Sequence, residues 1–162
     1  LTMSDRIAVM FDGKVAQVDK PEIIYKKPVS ERVASFIGVM NLFPAKIINK
    51  SENQFTLDVA AIGNIVVPIQ PGFDSGESIT VGIRPEMMSI VYEDYVGQNN
   101  QTDTIIRDKS YFGDMTYYEI EFPDKKHTAI VSMRNTAGRA ILQLGQDAKV
   151  SWSSESIVLL SK

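Results

Sequence analysis

The sequence predicts a mostly β chain, a small β-barrel preceded by a β-hairpin and two short helices. Three observations carry this. Short runs of alternating or apolar residues recur from residue 41 onward, separated by turn residues at even spacing. Two apolar runs near the start flank Asp12-Gly13, the strongest two-residue hairpin signal. Between these regions stand Pro21 and Ser30, each opening a few residues of helical periodicity.

Composition bounds what the chain can do. At 162 residues it accommodates one ordinary domain plus an appendage. Hydrophobic residues make up 44% and charged residues 23%, the balance of a globular protein. The net charge is -3, and residues 41–162 hold eleven Lys/Arg against fifteen Asp/Glu, the wrong sign for a phosphate-binding barrel surface. No nucleic-acid partner is expected. Cysteine is absent, which excludes disulfides and thiolate chemistry. No run approaches the ~18 apolar residues of a membrane span, and no signal segment is visible.

Taken in order, Ile7 to Phe11 is nearly continuously apolar and reads as a strand buried on both faces. Gly13 accepts the positive φ of a tight turn, and Lys14 to Val18 returns. Asp19 is placed to cap a helix that Pro21 starts and Pro28 ends, with Ile23, Ile24 and Tyr25 on its apolar side. Ser30 is placed to cap a second helix, in which Val33, Ala34, Phe36 and Ile37 share a face and Gly38 is the stop. Strands follow over 44–49, 54–59 and 65–69, with Pro68 marking an edge or bulge. Residues 77–83 form the next strand, with Ile79, Val81 and Ile83 facing in. Proline then fixes a corner at Arg84-Pro85-Glu86, and residues 87–92 continue as a strand. Residues 95–102 read as a polar loop. The remaining strands are read at 104–112, 115–122, 127–133, 145–152 and 157–160.

The stretch from Met3 to Gly38 (MSDRIAVMFDGKVAQVDKPEIIYKKP, then SERVASFIG) closely resembles the end of the nucleotide-binding domain of importer-type ABC-transporter ATPases. The Phe36-Ile37-Gly38 string before Asn41, the Gly82-Ile83-Arg84-Pro85-Glu86 corner, the Tyr111-Phe112-Gly113 bend and the closing Gly145-to-Trp152 strand resemble the C-terminal OB-like domain, called TOBE, of polyamine, iron and sugar importers. The resemblance implies residues 1–40 as the end of a nucleotide-binding domain and 41–162 as an OB-like regulatory domain. It implies a part that steadies an ATPase dimer, works with membrane permease subunits, and lies at the cytoplasmic face of the membrane in the parent complex. A free-standing OB-type binder of a small oxyanion or an oligonucleotide is the alternative.

The phosphate loop, the Mg-binding carboxylate, the signature motif and the switch histidine are not in this sequence. Catalysis, ATP and Mg are therefore expected of the parent protein, and no catalytic residue, cofactor or metal ligand is expected here. Leu1 opens in mid-motif, so sequence upstream is expected.

Individual residues carry sharper expectations. Arg84, Pro85 and Glu86 are read either as a local salt bridge at a strand end or as an inter-domain or inter-subunit contact, with Phe112 and Gly113 as further contact residues. The strand through Ile7, Val9 and Phe11, parted from its parent sheet, is expected to expose an edge and a face for self-association into a homodimer. Ser132, Arg134 and Asn135 echo the Ser-Ala-Arg-Asn string of molybdate-binding relatives of the TOBE domain, which makes them oxyanion candidates. Tyr111, Phe112, Tyr117, Tyr118 and Trp152 are read as packing residues rather than base-stacking platforms. Glu119 and Glu121 read as solvated, and His127 reads as a lone surface histidine.

Overall fold

A computed structural model describes residues 4–92 and 100–161 of the chain. The opening hairpin joins β1 (Ile7–Phe11) to β2 (Lys14–Asp19) through Asp12 and Gly13 at φ 52° and 75°. Both turn residues take the positive φ that a primed two-residue turn demands. Helices α1 (Pro21–Lys26) and α2 (Glu31–Ile37) follow. Ser30 caps α2 as its sequence predicts, its hydroxyl accepting from the Val33 N–H. Asp19 does not cap α1. The cap position falls on Lys20, and the Asp19 carboxylate accepts only the Lys20 N–H, one residue short of the helix.

Ten strands then build two five-stranded antiparallel sheets. The first contains β3 (Asn41–Lys50), β4 (Gln54–Val59), β5 (Gly63–Pro68) and β6 (Ser78–Ile83). After Pro85–Met87, a single 3-10 turn, come β7 (Met88–Val91), β8 (Asn100–Tyr111), β9 (Met115–Glu121), β10 (Thr128–Arg134) and β11 (Asp147–Trp152) of the second sheet. The chain then returns to the first sheet with β12 (Val158–Leu160). The strand orders are β12-β6-β3-β4-β5 and β10-β9-β8-β11-β7. Pro68 sits on edge strand β5, where a missing N–H costs no ladder bond. Part of the expected polar loop differs: residues 100–102 are strand, paired with β11, and 95–99 lie outside the described residues.

The mostly β, OB-like fold class holds, because alternation puts one face of every long strand into a common core. Phe43, Phe55, Leu57, Val81 and Ile83 from one sheet meet Ile106, Tyr118, Ile120, Phe122, Val131 and Trp152 from the other. Phe43 and Phe122 touch edge to face across the core, with centroids 5.4 Å apart. A smaller cluster of Val9, Ile24 and Val33 binds the hairpin to the helices. Here the structure corrects the reading of β1. Only Val9 is fully buried, while Ala8 and Met10 face outward, so the strand is buried on one face.

Three side-chain amides close gaps where no neighbouring strand is available. The Asn41 amide donates to the Ile130 carbonyl and accepts its N–H, both at 2.8 Å, on the free edge of β10. Gln70 donates to the Ile157 carbonyl (2.8 Å) and accepts from Leu159 N–H (3.0 Å), drawing the two edges of the first sheet together. Gln17 makes the same pair of bonds to the Lys27 carbonyl and Val29 N–H. Each amide presents one donor and one acceptor in the geometry of a peptide group. Asn41→Ala leaves both Ile130 groups unpaired, at an expected cost of about 1–3 kcal/mol. Urea denaturation should show this as a lower midpoint at unchanged slope.

Candidate interdomain junction

Strand β6 has two faces of opposite purpose. Ile79, Val81 and Ile83 enter the barrel core. Thr80, Gly82 and Arg84, two residues apart, lie on the other side and meet the helical segment. The Thr80 hydroxyl donates to the Glu31 carboxylate on α2. Gly82 is overlain by Met40 and Leu160 so closely that a Cβ there would collide with the Met40 sulfur. This glycine is favoured by close approach, not by backbone conformation: a larger residue would displace the Met40 side chain.

Arg84 is the centre of the junction and only 4% exposed. Its guanidinium donates to the carbonyls of Tyr25 (3.1 Å), Ala34 (3.3 Å) and Val39 (2.9 Å). Tyr25 and Ala34 lie in the C-terminal turns of α1 and α2, where carbonyls have no intrahelical donor. Helix α2 has no basic residue in its own last turn, and Arg84 supplies that charge from fifty residues away. Burial pulls the Arg84 pKa down, while Tyr25 and Glu86 act in the opposite direction. Gly38 lies beneath, with its Cβ direction 3.5 Å from Nη1 and 3.6 Å from the Tyr25 ring.

Tyr25 completes the arrangement. Its ring lies under the Arg84 guanidinium, 4.1 Å from centroid to Cζ, and its hydroxyl donates to Glu86. Arg84 and Glu86 form no direct salt bridge among the described residues; they act through Tyr25. Burial first, then the bond to Glu86, pushes the Tyr25 pKa up to about 12. A pKa raised in the folded state gives stability that is complete below pH ~10 and lost as pH climbs towards 12. Tyr25→Phe should remove that alkaline loss, seen as a smaller fall in Tm between pH 9 and pH 11 than in the parent chain.

The other predicted residues scatter. Pro85 is buried and starts the 3-10 turn. Phe112 (65% exposed) and Gly113 form the tip of the β8–β9 hairpin, with Phe112 edge-on to Tyr117. Asn135 is committed to that tip. Its amide donates to the Gly113 carbonyl (2.6 Å) and accepts from Thr116 (2.7 Å). Ser132 is nearly buried on β10, whereas Arg134 is exposed. Ser132 does not line the hollow that the other two share. Arg134 and Asn135 line a hollow of about 410 Å³ with Tyr92 and Arg139, but Arg139 is stacked on Tyr92.

Ile7, Val9 and Phe11 face the helices rather than a bare surface; Arg32 lies over Phe11 and pairs with Asp12. The open face of the hairpin carries Met10, Val15 and Val18 instead. Glu121 pairs with Arg107 at 3.1 Å rather than standing free. His127 is not alone. Its ring meets Asp124 at 2.6 Å in the β9–β10 turn, where the backbone N–H of Lys126, then the His127 ring, holds the Asp124 pKa at about 2.

Sequence reasoning missed Tyr25, Thr80 and Gly82 as parts of one site. The period-two run Thr80-Gly82-Arg84 was a signal for a second face on β6. Nothing local pointed to Tyr25 as its partner. Among the described residues there is no cluster of His, Cys, Asp and Glu suited to a metal ion. No described helix is long and apolar enough to cross a membrane, a test that does not address β-barrels.

Residues 81–160 match the TOBE domain family. The chain is 31% identical over 162 residues to the spermidine/putrescine import ATP-binding protein PotA of Nitrosomonas europaea, covering 99% of this chain and 45% of that protein. It is 31% identical over 140 residues to the maltose/maltodextrin import ATP-binding protein MalK of Mannheimia succiniciproducens, covering 83% of this chain and 37% of that one. The chain thus spans under half the length of these relatives. The cytoplasmic molybdate-binding protein ModG, crystallised with molybdate bound, shares the fold at TM-score 0.62 and 8% identity, over 75% of this chain and 96% of that chain.

Proposed function

From the premise that residues 81–160 are a TOBE domain, we propose that the chain is the C-terminal regulatory part of the ATP-binding subunit of an ABC importer. The observation that carries this is the similarity to an import ATP-binding protein along 99% of the chain, hairpin and helices included. Residues 1–40 are the end of a nucleotide-binding domain, and 41–162 are the regulatory barrel docked on it. ATP, Mg and hydrolysis belong to the parent protein, which works with permease subunits at the cytoplasmic face of the membrane. Spermidine/putrescine-like polyamines are the favoured cargo class, with iron or sugar behind them, since PotA proteins match 99% of the chain and MalK 83%.

Two measurements test this. The coding frame upstream of Leu1 should contain a phosphate loop, a signature motif and a histidine just before Leu1. A start codon close to Leu1 without them overturns the reading. The full-length subunit should hydrolyse ATP with its permease, and substitutions in the barrel should change that rate while nucleotide affinity stays constant.

The subunit functions as a homodimer in this reading. The apolar surfaces proposed for pairing are the hairpin face of Met10, Val15 and Val18 and the tip at Tyr111 and Phe112, among the exposed apolar side chains of the chain. Sedimentation at micromolar concentration should show self-association of this chain. Met10→Lys with Val18→Lys, or Phe112→Asp, should shift it towards monomer, and whichever does so identifies the contact. A monomer in every case counts against pairing through this part of the subunit.

A further inference from the structure

We propose that the hairpin, the helix pair and the barrel move as one rigid arm, locked by the outer face of β6, with no hinge at Gly38–Met40. A glycine-bearing connector between two folded parts is where flexure is expected. The structure places this connector under load instead. Gly38 lies against the Arg84 guanidinium and the Tyr25 ring, the Val39 carbonyl is one of the three Arg84 acceptors, and Met40 is pressed onto Gly82.

Rigidity follows from where the fastenings lie. The helical segment is fastened at two places: Val29, Ser30 and Glu31 onto Ser161 (3.3 Å from its hydroxyl to the Val29 carbonyl) and Thr80, which lie side by side at the end of β12 and on β6, and the ends of both helices onto Arg84. Two fastenings alone leave an axis of rotation; the connector itself is tied down as well, with the Val39 carbonyl on Arg84 and Met40 against Gly82. The hairpin joins the same body through Val9 against Ile24 and Val33, and through the Gln17 amide. A displacement applied to residues 4–37 is therefore delivered to the aromatic tip at Phe112 without loss in a joint. This goes beyond the proposed function and holds whatever the arm is attached to.

The chain contains no cysteine, so labels can be placed cleanly. Spin labels at Lys14→Cys on the hairpin and Lys125→Cys on the β9–β10 turn, both exposed positions, report the distance between the two ends of the arm by double electron–electron resonance. One narrow distance distribution is expected in the parent background. Arg84→Ala should broaden it or add a second population, while emission from the single tryptophan, Trp152, stays that of a buried indole. If Arg84→Ala disturbs Trp152, Thr80→Val takes its place, since it removes only the hydroxyl that reaches Glu31. A broad distribution in the parent chain overturns the proposal, as does a distribution unmoved by both substitutions. ATP plays no part in the measurement, so its outcome is separate from that of the importer reading.

Discussion

Phe43→Ala is expected to cost the barrel about 3–5 kcal/mol, the range for deleting a buried aromatic side chain. Phe43 is 1% exposed on β3, the strand that holds β4 and β6 on either side, and its ring is the edge-to-face partner of Phe122 from the opposite sheet. Truncation therefore removes both transfer free energy and the contact through which the two sheets share one core. The void cannot close readily, because its walls are ladders held by backbone hydrogen bonds. Urea titration followed by Trp152 emission is the direct check. Phe122→Ala and the double variant complete a cycle, whose coupling should be about 0.5–1.5 kcal/mol if the ring pair matters beyond its area. Additive losses would mean that the two rings merely fill space.

Arg84→Ala is the second large effect and acts elsewhere. Three carbonyls, two of them at helix ends, lose their donor together, which is expected to cost the docked helical segment about 3 kcal/mol. Arg84→Lys should recover only part of this. An ammonium cannot reach three diverging carbonyls and stack flat on Tyr25 at the same time. The loss should appear in far-ultraviolet circular dichroism at lower urea than the change in Trp152 emission. A variant as stable as the parent chain would show that water replaces the guanidinium at no cost, and the junction would then be ornamental.

The contrast between these residues shows what could be read in the chain. Phe43 itself falls just before the strand read at 44–49, but the alternation of Ala45 and Ile47 that continues β3 is written in neighbouring residues. The same holds for the Asp12-Gly13 turn, the Ser30 cap and the edge position of Pro68. These features are decided within a few residues, so sequence alone determined them, and with them the mostly β fold. The motif at Arg84-Pro85-Glu86 was equally visible as a motif.

What Arg84 touches was not. Its acceptors lie 45 to 59 residues earlier in the chain, and the choice between a local salt bridge and a contact with the helices depended on which elements pack against the outer face of β6. The same reason explains the misread face of β1, the tie between Asn135 and Gly113, and the amides of Asn41 and Gln70 that take the place of missing strands. Local periodicity says that a strand has two faces; only the tertiary structure decides what covers the second one. In this protein that second face, on β6, carries the junction.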